Sequence, residues 1–211
     1  MSFKITKNSL DLVKKISEQM KGKTFHNHYH ILYDIADSID KESITYLEIG
    51  AYAGGSASLM SMHNKVRKSY SIDIGKPIDK NIVIENVSKF KNSICEYQYF
   101  KGDSTKLETI KEVKSVISEV DIFFIDGDHR YQAVISDFKN YSDLVCSGGY
   151  IIFDDYLDKV SSPDVRFAVD YLCETLDKEK YEIIGSLNYE LLKDTDNPNL
   201  GGSNEFVLKK L

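Results

Sequence analysis

Short β-rich runs alternate with longer segments of helical spacing from Thr45 to Asp155, and this alternation limits the fold more than any other feature. The runs are "TYLEIG", "KSYSIDI", "CEYQYF", "VDIFFID" and "GYIIFDD". Between the third and fourth, Leu107, Ile110, Val113 and Ile117 fall on one face of a helix, with Ser104 or Thr105 placed to cap its start. Strands alternating with helices make βαβ units, hence a parallel sheet with right-handed crossovers and helices on both faces. The nearly unbroken apolar run "VDIFFI" fits a strand buried on both sides. After them, "KYEIIGSL" and "NEFVLKKL" read as two further strands that add a hairpin to one edge. Ahead of Thr45, Leu10, Val13, Ile16 and Met20 mark one helix, and Ile31, Leu32 and Ile35 a second. The expected fold is therefore α/β: a Rossmann-like, doubly wound, mostly parallel seven-stranded sheet with an antiparallel C-terminal hairpin and N-terminal helices.

A chain of 211 residues with 42% hydrophobic content can bury one domain's core, or one domain with an appendage. Its net charge of −6, with lysines mixed among acids, argues against a nucleic-acid or anionic-membrane surface. Cys95, Cys146 and Cys173 are far apart and odd in number, so they read as reduced thiols rather than a zinc site or disulfide framework. The N-terminus lacks a signal peptide's apolar stretch, and no apolar run approaches membrane-spanning length. A cytoplasmic protein is the expectation. The oligomeric state stays open, a homo-oligomer included.

In such a sheet, ligands sit at the carboxyl ends of the strands, where strand order reverses. The chemistry-bearing residues fall there. Gly50, Gly54 and Gly55 make a tight turn before a helix, but the spacing G-x-x-x-G-G departs from the dinucleotide fingerprint, and Tyr52 stands where its middle glycine would be. The turn suits a nucleoside without a diphosphate better than a nicotinamide dinucleotide. Asp73 ends the second run, placed to accept from ribose hydroxyls; Asp103 ends the third, placed to meet an exocyclic amine. Each of these acids, taken alone, also suits a helix cap or turn.

Asp126 ends the fourth run, and Asp154 and Asp155 end the fifth, separated by one crossover helix. Adjacent parallel strands bring these carboxylates to one rim, and clustered like charges call for a positive charge between them. A hard divalent cation, magnesium or in its place manganese, is the natural partner for oxygen ligands. His129 leaves the same strand end as Asp126, and an imidazole, with an ordinary pKa of about 6.5, suits proton removal near neutrality. Asp128 reads as the acid that closes the turn around Gly127, and Tyr131 as packing or as a hydrogen bond that supports the site from behind.

The segments "LEIGAYAGGS", "SIDIG", "GDS", "DGDHRY" and "GGYIIFDDY", in that order, resemble class I S-adenosylmethionine-dependent methyltransferases over about half the chain, from Tyr46 to Tyr156. The nearer resemblance is to the metal-dependent sugar O-methyltransferases of the macrocin and mycinamicin type. It implies S-adenosylmethionine contacts at Glu48, Gly50, Tyr52, Gly54, Ser56, Asp73, Asp103, Ser104 and Asp126. It implies magnesium on Asp126, Asp154 and Asp155, with His129 as base and Asp126 sharing in catalysis. It also implies an N-terminal cap or lid over residues 1–44, ahead of a cofactor-binding domain over 45–211. The acceptor would be a small-molecule sugar, nucleotide-linked or on a glycosylated metabolite.

Other readings stay in view. A catechol- or phenol-type methyltransferase would favour a lysine where His129 stands. A non-catalytic S-adenosylmethionine-binding module would need no metal, and a nicotinamide dehydrogenase is a weaker third choice. His26, His28 and His30 suit a loop or helix start, as lid or plain structure, with a second metal the least favoured role. His63 reads as a solvent-side residue late in a helix. Residues 193–204 form a long polar stretch that suits a mobile flap or a mere connection.

Overall fold

The computed structural model describes residues 7–22, 29–187 and 205–211. Its strands are β1 (Ile44–Ile49), β2 (Val66–Asp73), β3 (Glu96–Lys101), β4 (Val120–Ile125), β5 (Val145–Phe153), β6 (Tyr181–Ser186) and β7 (Phe206–Lys210). They form one sheet in the order β3-β2-β1-β4-β5-β7-β6. β1 to β5 pair in parallel, while β7 pairs antiparallel with both β5 and β6. The expected doubly wound sheet with an antiparallel C-terminal addition is the observed one.

β4 lies at the centre and is buried along its whole length. Successive side chains of a strand point to opposite faces. Phe123 and Ile125 accordingly join Leu47, Phe138 and Val169 on one side of the sheet. Ile122 and Phe124 join Tyr46, Ile35 and Leu59 on the other. The first face is covered by α5 (Leu107–Val116), α6 (Tyr131–Tyr141) and α7 (Pro163–Thr175). The second is covered by α1 (Lys7–Gln19), α2 (His30–Ser38), α3 (Gly55–Met62) and the end of α4 (Lys80–Phe90). α3 is built from small residues and is buried from Gly55 to Ser61, which lets neighbours close around it on every side.

Three expectations need correcting. His63 is not solvent-side. It follows α3, is fully buried, and bonds through Nε2 to Asp37 Oδ1 at 3.0 Å, while its Nδ1 accepts from the Lys65 amide. A buried imidazole needs both nitrogens satisfied, and here both are. Leu107, expected on the buried face of α5, is exposed because it stands at the helix start, above the point where Val113 and Ile117 meet the sheet. Neither Ser104 nor Thr105 caps α5; Lys106 holds that position without a side-chain bond, and Ser104 is drawn to Asp137 instead.

The strand ends are level because the hydrogen-bond ladder runs one step past each strand. Gly50 N bonds Ile72 O, Gly102 N bonds Asp73 O, Asp126 N bonds Ile49 O and Asp154 N bonds Ile125 O, all within 2.9–3.0 Å. Asp73, Asp126 and Asp154 are thereby carried to one rim.

Candidate active site

A cavity of about 1000 Å³ opens at the carboxyl ends of the central strands, where strand order reverses between β1 and β4. Its wall includes Gly50, Tyr52, Asp73, Asp103, Ser104, Asp126 and His129 from the expected set. Glu48, Gly54, Ser56, Asp154 and Asp155 lie outside that wall.

Gly50 is required by its neighbours. At φ +92°, a Cβ there would sit 1.9 Å from the Asp126 carbonyl oxygen. Only glycine lets the ends of β1 and β4 close to this distance. Gly54 takes φ +84° at the start of α3. Tyr52, at φ +45°, has a backbone rare for a bulky residue. The Asp73 carboxylate holds this turn: Oδ2 accepts from the amides of Ala51 (2.9 Å) and Tyr52 (3.0 Å), and Oδ1 from Gly75 (2.6 Å). The acid expected to meet a ligand therefore also shapes the loop beside it.

Glu48 works from below. It is fully buried, accepts from Ser56 (2.6 Å) and Tyr46 (2.8 Å) on one oxygen and from Ser71 (2.7 Å) on the other. Burial pushes its carboxyl up to about 7 despite these three donors. Ser56 is thus spent on Glu48, pinning α3 to β1. Asp103 is exposed and accepts from the amide and hydroxyl of Thr105, which hold its carboxyl below the usual range. Ser104 Oγ donates to Asp137 at 2.6 Å, so its lone pairs remain for the cavity.

At the far wall stands Asp126. Burial first, and then the charge of neighbouring Asp154, push its carboxyl well above the usual carboxylate range. The Tyr29 phenol donates to its Oδ2 at 2.8 Å and acts the other way. His129 Nε2 lies 3.3 Å from Asp126 Oδ1, and its Nδ1 lies 3.3 Å from Asp155 Oδ2. The ring thus stands between two carboxylates. Asp155 has φ +58°, with Tyr52 the second non-glycine residue of positive φ among the described residues; Tyr52 lines the cavity, and Asp155 stands behind it against His129. Such outliers gather where geometry serves function. Among the described residues, no three His, Cys, Asp or Glu side chains are grouped as ligands around a metal in this arrangement. The donor set itself suits one: a buried acid pair needs a proton or a cation between its members.

Asp128 accepts from the Arg130 amide at 3.0 Å and pairs with its guanidinium, the expected turn role. Tyr131 packs at the start of α6 against Tyr171. His30 opens α2 and is buried; His26, His28 and residues 193–204 lie outside the described residues. Two residues of the site were not anticipated. Tyr29 lies 97 positions before its partner, and Ser162, which bonds His129 and Asp155, lies in a polar stretch with no motif around it. A serine directly before a proline at a helix start was the available signal for the second.

Residues 47–156 match a family model described as a methyltransferase domain. An uncharacterised protein of Acanthamoeba polyphaga mimivirus is 38% identical over 208 residues, spanning 93% of this chain and 92% of its own. The O-methyltransferase from Bacillus cereus, solved with SAH, superposes with a TM-score of 0.63 at 14% identity, over 98% of this chain and 91% of that one. An rRNA methylase from Streptococcus thermophilus gives 0.62 at 12% identity, over 87% and 96%. At those identities the two structures speak for the fold alone.

Proposed function

The chain belongs to the methyltransferase domain family, and from that premise we propose that it transfers a methyl group from S-adenosylmethionine to a hydroxyl oxygen of a sugar. One observation carries the O-transfer reading: an acid–imidazole pair, Asp126 and His129, opens into the cavity at the switch point of the sheet. The polar rim, with Asp128, Arg130, Gln132 and Asp164, favours a polyol acceptor over a catechol, as does a histidine in place of a lysine.

S-adenosylmethionine supplies a methyl already activated on a sulfonium. The chain's work is to hold it and to ready the acceptor. Gly50 and Ala51 allow close backbone approach, Asp73 offers oxygens toward ribose hydroxyls, and Asp103 and Ser104 present acceptors toward an adenine amine. Tyr52 walls the cavity beside them. His129 takes the hydroxyl proton as the oxygen attacks, and Asp126 stabilises the imidazolium that forms. Magnesium, or manganese in its place, belongs to the proposal: Asp126, Asp154 and Asp155 would hold it, and it would lower the pKa of the acceptor hydroxyl. What supports it is the buried Asp126–Asp154 pair, whose repulsion a cation relieves.

The test is S-adenosylhomocysteine release with nucleotide sugars, simple glycosides and catechols side by side, with magnesium, manganese or a chelator. Turnover on a sugar that a chelator abolishes is expected. Turnover on catechol alone, or turnover indifferent to chelation, overturns the sugar or metal part of the proposal.

A further inference from the structure

Asp137 stands in the second turn of α6, is 1% exposed, and takes no part in the chemistry proposed for the cavity. A buried acid is costly to keep. Burial lifts its carboxyl to about 7 against the Ser104 donor, and the charges of Asp103 and Asp128 act with burial. Oδ1 accepts from Ser104 Oγ at 2.6 Å, while Oδ2 meets no donor among the described residues. The carboxyl is thus placed for one partner, and that partner lines the cavity. Tyr141 lies one helical turn further along the same face of α6. Its phenol donates to the Ser104 carbonyl at 2.9 Å, and its ring is buried against Phe123 of β4. α6 therefore holds Ser104 from behind at two points, hydroxyl and carbonyl. Gly127 belongs to the same wall: a Cβ there would lie 3.6 Å from Asp137 Oδ2 and 2.8 Å from Ile49 Cγ2. Asp137 sits behind both loops.

A hydroxyl has one proton. An ionised Asp137 accepts it in a hydrogen bond and has none to offer back, so Ser104 Oγ shows the cavity lone pairs alone. Such a group pairs with an amine and not with a carbonyl. Without Asp137 the hydroxyl could turn and pair with either. We propose that Asp137, with Tyr141 fixing the carbonyl beside it, is a positioning residue that makes Ser104 an obligate acceptor, so that the cavity selects a purine bearing an exocyclic amine over one bearing a carbonyl in its place. This rests on the S-adenosylmethionine reading of the cavity.

The experiment is calorimetric titration with S-adenosylhomocysteine and with its keto analogue, S-inosylhomocysteine, at a pH of about 8.5, where Asp137 is ionised. The wild-type protein is expected to bind the amine at least about tenfold more tightly. Asp137→Ala and Asp137→Leu both remove the acceptor, one leaving space and the other filling it. Both are expected to bring the ratio of the two affinities below about threefold. Ser104→Ala is expected to do the same, and adding Asp137→Ala to it is expected to change the ratio no further. A general loosening of the fold weakens both ligands alike and leaves the ratio in place. A wild-type ratio near one, a wild-type ratio retained in either Asp137 variant, or a further change in the double variant overturns the proposal. Ser104→Ala alters only the loop and carries the test if the Asp137 variants do not fold: the wild-type ratio there overturns the proposal too. Failure of the wild-type protein to bind S-adenosylhomocysteine at all overturns the cofactor reading, and the proposal with it.

Discussion

The phenol of Tyr29 donates to Asp126 Oδ2 at 2.8 Å, tying the residue just ahead of α2 to the end of the fourth strand. Burial and the charge of Asp126 raise the Tyr29 phenol well above its ordinary value, so it stays a donor. Tyr29→Phe keeps the ring, which packs edge-on against Phe124, and removes only the hydroxyl. A lost bond to a buried acid costs about 1–3 kcal/mol. Urea unfolding at neutral pH should register that loss, and unchanged stability would show that the bond contributes nothing.

Glu48 predicts a pH dependence of stability. Its carboxyl titrates at about 7 in the folded chain against 4.5 when free. Below the free value it is protonated in both states. Between the two values the folded chain keeps a proton that the unfolded chain releases, so stability falls as pH rises from about 4.5 through about 7. The contribution is on the order of 3 kcal/mol. Asp137, pushed up to about 7 by burial, adds a slope of the same sign. Glu48→Gln should flatten the profile partly and leave the slope due to Asp137. A variant with the wild-type slope would contradict this.

Glycine positions separate close approach from mere turn geometry. Gly50 and Gly148 both have positive φ, but a Cβ at Gly148 would meet nothing within 4 Å. Gly148→Ala should cost about 1 kcal/mol, from backbone strain alone. Gly50→Ala should cost more than about 4 kcal/mol or prevent folding, since it strikes the Asp126 backbone. Comparable thermal midpoints for the two variants would refute the contact.

Magnesium should stabilise the folded chain. A cation that binds only the folded state at a hundredfold excess over its Kd adds about 2.7 kcal/mol. Thermal unfolding with magnesium and with chelator measures it. Asp154→Asn should raise stability in chelator, by removing repulsion from Asp126, and should abolish the response to magnesium. A wild-type midpoint indifferent to the ion would remove the metal from the account.

Much of this architecture was legible in the residues. The runs ending at Gly50, Asp73, Asp126 and Asp155 marked strands, and parallel topology required their ends to share a rim. The aromatic and branched residues of "VDIFFI" announced a central strand. What stayed hidden depended on three-dimensional neighbours. Tyr29 meets Asp126 only because the start of α2 is set beside the cavity. Ser162 carried no motif, since its bond to His129 follows from where α7 begins. His63 looked like a surface residue because helical spacing cannot show that Asp37 waits on α2. The acids at the strand ends were visible, but not that Asp73 is occupied with its own loop, or that the His129 ring stands between Asp126 and Asp155.

The central claim is that the strand-end cavity binds S-adenosylmethionine through the Asp73 loop, and calorimetric titration with S-adenosylhomocysteine tests it most directly. Asp73→Asn is the informative variant, because an amide group would set a donor against the amides of Ala51 and Tyr52 or of Gly75. The account predicts saturable binding to the wild-type protein, with a Kd on the order of micromolar, and at least about tenfold weaker binding to Asp73→Asn. No binding, or equal affinity for the two proteins, would contradict it.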